Sequence, residues 1–175
     1  CQIGITDLPT LIQALKEYCR YCSATPKEDT VKKLERELIG SNIRGFFPTP
    51  KRVVERMLQL ANIEPSMTVI EGSAGKGSIA DLIKEYYPNC SLSVIEINYT
   101  LRDILKAKGY NLVGNDFLEH TGSYDRAIQN PPFERFQDVD HCRKAYSLLK
   151  PGGRLVSIVS ESCFFRQDKK AIEFR

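Results

Sequence analysis

The sequence predicts a doubly wound α/β fold built on a mostly parallel sheet. Between residues 53 and 159, short apolar runs alternate with segments whose apolar residues recur at helical spacing. The short runs are almost continuously apolar, which is typical of strands that are buried on both faces. Glycines and polar residues follow several of these runs directly. Helices that connect parallel strands cover both faces of a sheet, and the fold class follows from this alternation.

Two amphipathic helices are predicted before this region. The first begins at Asp7, a suitable N-terminal cap. Its apolar residues at helical spacing are Leu8, Leu11, Ile12, Leu15, Tyr18, Cys19 and Cys22. The second runs from about Lys27 to Ile39 and ends at Gly40. We therefore expect a helical N-terminal extension over residues 1–44 and a second domain over residues 45–175.

The strands and helices of the second domain follow in order. A helix over residues 53–61 comes first, and the predicted strands are MTVIEG, LSVIEI, NLVGND, DRAIQN and RLVSIVS. The later helices carry the apolar residues Ile79, Leu82, Ile83 and Tyr86, then Leu101, Ile104 and Leu105, then Val139, Cys142, Ala145, Leu148 and Leu149. A KPGG turn separates the last helix from the last strand. Ligands bind beyond the carboxyl ends of such strands, so EGSAGKG, EIN, NDF and NPPF are expected to face one site.

The composition is that of an ordinary globular protein, with 42% apolar and 27% charged residues among 175. No apolar run reaches the roughly 20 residues that cross a bilayer. The first residues also lack the basic and apolar regions of a signal peptide. We expect a soluble, cytoplasmic protein with no membrane partner.

The net charge of +3 is unevenly distributed. Residues 1–57 contain ten Lys and Arg against seven Asp and Glu, whereas residues 58–175 contain fifteen of each. This bias is compatible with a polyanionic partner, and a solvated helix face explains it equally well.

The six cysteines have no framework spacing, and we interpret them as reduced core residues. They are Cys1, Cys19, Cys22, Cys90, Cys142 and Cys163. Only CRYC, at residues 19–22, has the spacing of metal ligands, and no second pair or histidine cluster completes four ligands. Because CRYC also lies in a helical pattern, packing is the favoured interpretation and no metal is expected.

The glycines after the first predicted strand suit a nucleotide-like ligand. Gly72, Gly75 and Gly77 let the backbone approach a ligand closely beneath a helix N-terminus. The segment is not a Walker loop, because only two residues separate Gly72 from Gly75.

Acidic residues at three strand ends indicate the charge of this ligand. Glu96 ends the second strand, where a carboxylate can accept hydrogen bonds from ribose hydroxyls. Together with Glu71 and Asp116, it favours a positively charged nucleoside over a phosphate-rich dinucleotide.

The motifs VIEGSAGKGSIA, VIEIN, GNDF and IQNPPF occur in the order and approximate spacing of class I S-adenosylmethionine-dependent methyltransferases. NPPF resembles the signature of the amino-methylating branch of this family. That branch contains adenine-N6 DNA methyltransferases, some guanine-N2 RNA methyltransferases and the glutamine-N5 methyltransferases of release factors. The resemblance covers residues 45 to about 162 and implies a Rossmann-like fold with S-adenosylmethionine as cofactor.

The resemblance also implies the cofactor contacts. The methionine part would lie against Glu71, Gly72, Ser73, Gly75 and Gly77. Glu96 would bind the ribose and Ile97 would pack on the adenine. Asp116 and Phe117 would hold the far edge of the adenine, and Asn130 would border the cofactor.

The segment GFFPTP, residues 45–50, resembles the one that closes over the cofactor in adenine methyltransferases, with Phe47 and Thr49 as the expected contacts. One departure is Gly72, where many relatives have proline, and we expect it to loosen the loop slightly. The strands that usually close the sheet are expected to be missing from this chain. Recognition of the acceptor is accordingly expected from a missing C-terminal domain or from a partner subunit.

In NPPF, the resemblance and the chemistry agree on four catalytic residues, Asn130, Pro131, Pro132 and Phe133. An exocyclic amine is a poor nucleophile because its lone pair is delocalised into the ring. The Asn130 side-chain oxygen and the Pro131 carbonyl would accept its hydrogens and stabilise the positive charge that develops. The prolines would keep these acceptors in place, and the Phe133 ring would stack on the acceptor.

The leading hypothesis is therefore methylation of adenine N6 in DNA, in the manner of a restriction-modification enzyme. RNA base methylation at guanine N2 or adenine N6 and glutamine-N5 methylation of a protein remain alternatives. A non-catalytic subunit that binds cofactor or nucleic acid is disfavoured by the intact NPPF. Both histidines, His120 and His141, are interpreted as surface or packing residues.

Overall fold

The structure is a computed structural model that describes residues 7–23, 30–38, 43 and 46–175. The chain divides into two compact units, residues 1–39 and residues 40–175. In the first unit, helix α1 spans Leu8–Ser23 and helix α2 spans Thr30–Glu37. The Asp7 carboxylate accepts a hydrogen bond from the Thr10 backbone N–H at 2.8 Å, so Asp7 caps helix α1.

Some sequence predictions for the first unit lie outside the described residues. They include the predicted ends of the second helix, at Lys27 and Ile39, and the side chains of Cys19 and Cys22. Within the described ranges, no helix has the length and apolarity of a membrane span.

The second unit is a five-stranded sheet with helices on both faces. Its elements are α3 (Lys51–Ala61), β1 (Thr68–Glu71), α4 (Ser78–Tyr86), β2 (Ser91–Ile95), α5 (Tyr99–Ala107), β3 (Asn111–Gly114), β4 (Tyr124–Gln129), a 3-10 turn (Glu134–Phe136), α6 (Gln137–Ser147), β5 (Leu149–Ser157), α7 (Ser162–Phe165) and α8 (Lys169–Phe174). The strand order is β3-β2-β1-β4-β5, and every neighbouring pair is parallel. This arrangement confirms the predicted fold class.

The central strands β1 and β4 are covered on both sides. On one face, Val69 and Ile128 belong to a buried cluster with residues of α3 and α4. On the other face, Ile70 and Ala127 pack with Ala145 of α6. The strand order reverses between β1 and β4, and a crevice is expected outside their carboxyl ends.

The junction between α6 and β5 differs from the prediction. The helix ends at Ser147, and Leu149 already pairs with Tyr124 of β4. The KPGG segment, predicted as a turn, is a bulge within β5, because the next paired residue on β5 is Arg154, opposite Arg126. Gly152 has φ +77°, so the chain turns inside this bulge. The backbone of Leu148 faces β4, since its carbonyl accepts a hydrogen bond from the Tyr124 N–H, and this pairing ends the helix early.

Two arginines fix the C-terminal end of α3 to the sheet. The buried Arg126 of β4 donates from Nε to the Ala61 carbonyl at 2.6 Å and from Nη2 to the Asn62 carbonyl at 3.0 Å. Arg154 of β5 donates to the Leu60 carbonyl at 2.6 Å. The last carbonyls of a helix have no partner within the helix, and cations there also interact favourably with its dipole. The position of α3 on the sheet therefore depends on these two side chains.

A charged cluster joins three strands at their amino-terminal ends. The Asp125 carboxylate accepts hydrogen bonds from Lys150 Nζ at 2.8 Å and from the N–H and hydroxyl of Thr68 at 2.8 and 2.7 Å. The bond from Lys150, followed by those from Thr68, holds the pKa of Asp125 well below its ordinary value. The cluster ties β1, β4 and the β5 bulge together.

We expect Arg126→Ala to lower the free energy of unfolding by about 2–3 kcal/mol, because it leaves buried carbonyls at the end of α3 without donors. Arg154→Ala is the matched control. Its side chain is more exposed and makes one such bond, so the loss is expected to be about 1 kcal/mol or less. Urea denaturation measures both, and equal losses would contradict the anchoring role of Arg126.

We expect Asp125→Asn to destabilise the protein at neutral pH and to matter less in acid. The folded-state pKa of Asp125 lies below the unfolded value of about 3.9, so its contribution is present above that value and is lost as pH falls through the folded-state pKa. The difference in unfolding free energy between wild type and variant should therefore narrow below about pH 4. Asp103→Asn, which breaks an exposed ion pair with Lys106, is the control and should show little difference at any pH. A difference for Asp125→Asn that does not change with pH would refute the assignment.

Candidate active site

A cavity of about 520 Å³ lies at the carboxyl ends of β1, β2, β3 and β4 and is also bordered by residues 46–49. The predicted site residues that line it are Phe47, Thr49, Glu71, Gly72, Ser73, Gly75, Glu96, Ile97, Asp116, Phe117, Asn130, Pro131, Pro132 and Phe133. The fold thus brings four sequence motifs and the segment before α3 to one place. The volume of the cavity is in the range of sites that bind small molecules.

Gly77 is the one predicted site residue that does not line this cavity. It precedes α4 with φ +93°, and a Cβ there would lie 3.2 Å from Leu105 and 3.3 Å from Tyr110. Glycine is required at this position by the left-handed turn and its close packing, which a sequence motif does not distinguish from ligand contact.

Aromatic rings pack directly on the other two glycines of the loop. A Cβ on Gly72 would lie 2.6 Å from the Phe117 ring, and a Cβ on Gly75, whose φ is +57°, would lie 2.7 Å from the Phe46 ring. The sequence suggested that Gly72 loosens the loop. The looseness of the loop stays a prediction. The Phe117 ring occupies the space that a side chain on Gly72 would take, which places an aromatic wall beside the loop.

Glu96 connects the glycine loop to the end of β2. One carboxylate oxygen accepts a hydrogen bond from the Gly75 N–H at 2.7 Å, and the other accepts from the Asn98 N–H at 2.8 Å. Each carboxylate oxygen has a second lone pair. Glu96 can therefore hold the loop and still accept a hydrogen bond from a ribose hydroxyl.

Glu71 is buried at the end of β1, and its Oε2 has no hydrogen-bond partner among the described residues. Burial raises the pKa of Glu71 well above its ordinary value, and the carboxylates of Asp81 and Glu96 raise it further, whereas the Ala80 N–H lowers it. A cationic group beside Glu71 would favour its charged form.

The charge of the cavity wall indicates its ligand. The described residues of the wall include the carboxyl groups of Glu71, Glu96, Asp116 and Glu134 and contain no lysine or arginine. Such a wall suits a ligand with positive charge and an uncharged ribose, and it disfavours a pyrophosphate. The residues present therefore fit S-adenosylmethionine, which carries a sulfonium and an ammonium group.

Asn130 follows β4 and is held by the segment before α3. Its Nδ2 donates to the Thr49 hydroxyl at 3.0 Å and to the Phe47 carbonyl at 3.3 Å. Its Oδ1 is buried and has no hydrogen-bond partner among the described residues. The next residue, Pro131, is buried, and the Phe133 ring is half-buried in the cavity wall. An acceptor without a partner among the described residues thus lies beside two prolines and an aromatic ring.

His141 is a cavity residue that the sequence analysis did not assign to the site. It lies on α6, its ring stacks at 5.4 Å on that of Phe117, and its Nδ1 is 3.2 Å from the Ser73 hydroxyl oxygen. Burial lowers the pKa of His141, which favours the neutral imidazole. Its spacing of four residues from the buried Ala145 was a usable signal, because both lie on the inner face of one helix.

His120 lies outside the cavity and contacts a buried tyrosine of β4. Its Nε2 lies 2.8 Å from the Tyr124 hydroxyl oxygen, and it does not line the cavity.

No profile of a known protein family matches the chain. A modification methylase, CviBIII of Paramecium bursaria Chlorella virus NC1A, is 31% identical over 98 residues, which are 51% of this chain and 26% of that protein. An integrin beta-2-like protein of Mus musculus is 31% identical over 81 residues, which are 46% of this chain and 11% of that protein. The chain thus spans about a quarter of the first curated relative and about a tenth of the second.

Among solved structures, the methyltransferase subunit of a type I restriction-modification system from Streptococcus thermophilus aligns with a TM-score of 0.61 and 19% identity. The alignment covers 84% of this chain and 42% of that one. A coclaurine N-methyltransferase and a precorrin-6y C5,15-methyltransferase from Geobacter metallireducens align with TM-scores of 0.54 and 0.56. The five parallel strands, their order and these alignments agree, and the chain has the fold of class I S-adenosylmethionine-dependent methyltransferases.

Proposed function

We propose that this protein transfers a methyl group from S-adenosylmethionine to an exocyclic amine, and that the amine is N6 of adenine in DNA. The observation that carries the proposal is the buried Oδ1 of Asn130, which has no hydrogen-bond partner in the part of the chain that the structure describes. A buried acceptor without a partner is costly, and a bound amine would remove that cost.

The proposed cofactor contacts follow from the cavity wall. Glu96 would bind the ribose hydroxyls, while Ile97 and Phe117 would border the adenine. Glu71 and the loop at residues 72–75 would hold the methionine part. When bound, S-adenosylmethionine supplies a methyl group activated on a sulfonium cation. Ile97, with 67% of its surface exposed, would be covered by the bound adenine.

Asn130 and Pro131 would make the acceptor nitrogen reactive. The Asn130 Oδ1 and the Pro131 carbonyl would accept the two amine hydrogens, which favours a pyramidal nitrogen with its lone pair available. The same oxygens would stabilise the positive charge that develops on the nitrogen. Pro131 and Pro132 would restrict the backbone and hold these oxygens in place. This restriction matters, because a displacement of the oxygens by about 1 Å can cost on the order of 100-fold in rate.

Two features favour a nucleic acid as acceptor. The half-buried Phe133 ring lines the cavity, where it would stack on a base that has left its duplex. Lys51, Arg52 and Arg135, in the segments that border the cavity, are exposed and have no ion-pair partner among the described residues. These positive side chains would contact the phosphate backbone of a nucleic acid while one of its bases enters the acidic cavity.

The similarities to a viral modification methylase and to a restriction-modification methyltransferase subunit support DNA over other acceptors. Both proteins are much longer than the part that matches. We therefore propose that recognition of a base sequence involves a further domain or a partner subunit.

We expect the purified protein to transfer labelled methyl groups from S-adenosylmethionine to DNA, with N6-methyladenine as the product identified by mass spectrometry of the nucleosides. RNA and protein acceptors are assayed in parallel, and calorimetry shows that the cofactor is bound. Label only in RNA or protein, or no label despite bound cofactor, would contradict the proposal.

We expect Asn130→Ala to lower kcat by about 100-fold or more, because it removes an acceptor that stabilises charge in the transition state. The affinity for S-adenosylmethionine, measured by calorimetry, should stay near that of the wild type. Asn89→Ala, an exposed asparagine outside the cavity, is the matched control and should retain full turnover. An Asn130→Ala variant with nearly normal kcat would remove this side chain from the mechanism.

A further inference from the structure

We infer that Thr49 is a positioning residue whose hydroxyl holds the Asn130 amide in place, in the direction that the Phe47 carbonyl sets. The inference rests on the proposed function, because it concerns the same acceptor site. It changes the expected role of Thr49, which the sequence resemblance assigned to cofactor contact.

The Asn130 amide has two orientations of nearly equal shape, which exchange Oδ1 and Nδ2. Only one of them serves the proposed reaction. An oxygen accepts the amine hydrogens, whereas an NH2 group in the same place would oppose them with its own hydrogens. The active orientation therefore needs contacts that distinguish oxygen from nitrogen.

The segment before α3 supplies one such contact, the Phe47 carbonyl, on the far side of the amide. The Phe47 carbonyl, 3.3 Å from Nδ2, can only accept a hydrogen bond, so an amide oxygen in that position would face another acceptor. The Thr49 hydroxyl can donate or accept, and once the Phe47 carbonyl has set the direction it accepts the other hydrogen of Nδ2 at 3.0 Å. With both hydrogens of Nδ2 engaged, Oδ1 is directed away from the segment and has no hydrogen-bond partner among the described residues.

Thr49 is itself rigidly placed. It is buried, with 9% of its surface exposed, and it lies between Pro48 and Pro50, which restrict the backbone. Pro50 immediately precedes α3, and the Arg126 side chain holds the other end of that helix. Arg126 is part of β4, the strand that leads into Asn130. The Thr49 hydroxyl and the Asn130 amide are therefore both positioned by β4.

The two possible roles of Thr49 predict different kinetics. A cofactor contact would affect the affinity for S-adenosylmethionine. A residue that orients Asn130 would affect turnover and leave cofactor affinity unchanged, because the acceptor oxygen acts on the amine.

The test compares Thr49→Val, which removes the hydroxyl at nearly constant volume, with Thr49→Ser, which keeps it. We expect kcat for the DNA acceptor to fall roughly 10-fold in Thr49→Val, as for the loss of one buried hydrogen bond, and to be largely restored in Thr49→Ser. The dissociation constant of S-adenosylmethionine should match the wild type in both variants. Thr121→Val, at an exposed threonine outside the cavity, controls for the substitution itself.

A second readout does not depend on activity. The side-chain NH2 signals of Asn130, assigned by their loss in Asn130→Ala, should exchange slowly with solvent in the wild type and in Thr49→Ser. They should exchange faster in Thr49→Val. Thermal unfolding checks that each variant is folded, and Thr49→Ala offers a second removal of the hydroxyl if the valine variant is unstable.

Two outcomes would overturn the inference. One is a folded Thr49→Val variant with wild-type kcat and wild-type amide exchange. The other is a variant with normal kcat and weakened cofactor binding, which would make Thr49 a cofactor contact. Failure of the wild type to methylate any acceptor would instead refute the proposed function, and the amide exchange would still test the orientation of Asn130.

Discussion

Burial of both faces of β1 and β4 is the constraint on which the rest of the structure depends. Helices α3 and α4 cover one face and α6 covers the other, so most polar side chains of these strands lie at the two ends of the strands. At the amino-terminal ends of the strands, one oxygen of the Asp125 carboxylate accepts three hydrogen bonds, which stabilise the fold. At the carboxyl ends, Glu71 and Asn130 each have an oxygen without a hydrogen-bond partner among the residues that the structure describes. Hydrogen-bonded polar groups thus stabilise the amino-terminal ends of the strands, and the polar oxygens at the carboxyl ends are available to ligands.

Strand β4 links the stability of the fold to the geometry of the site. Arg126 and Asn130 are four residues apart, about 13 Å along an extended chain. The even spacing puts Arg126, Ile128 and Asn130 on the same face, where Ile128 packs with α3. Arg126 holds one end of α3, and the segment before its other end holds Asn130. The position of the Asn130 amide therefore depends on how α3 packs on the sheet.

Opposite charges lie on two neighbouring parts of the described surface. The cavity wall is acidic and fits a cationic nucleoside. The exposed cations Lys51, Arg52 and Arg135 lie in segments that border it and suit a polyanion. A small net charge of +3 hides this division, because opposite charges occupy different parts of the same surface.

The sequence by itself determined the parallel sheet, the order of its elements and all but one of the residues that were predicted to line the cavity. Local periodicity reports burial, and polar residues that follow buried runs must lie at strand ends. Only the tertiary structure decided that Gly77 packs away from the cavity, that His141 lines it and that Thr49 contacts Asn130. The last two residues are separated by 81 positions in the chain. Their contact depends on how α3 packs across β4, which no local pattern of residues encodes.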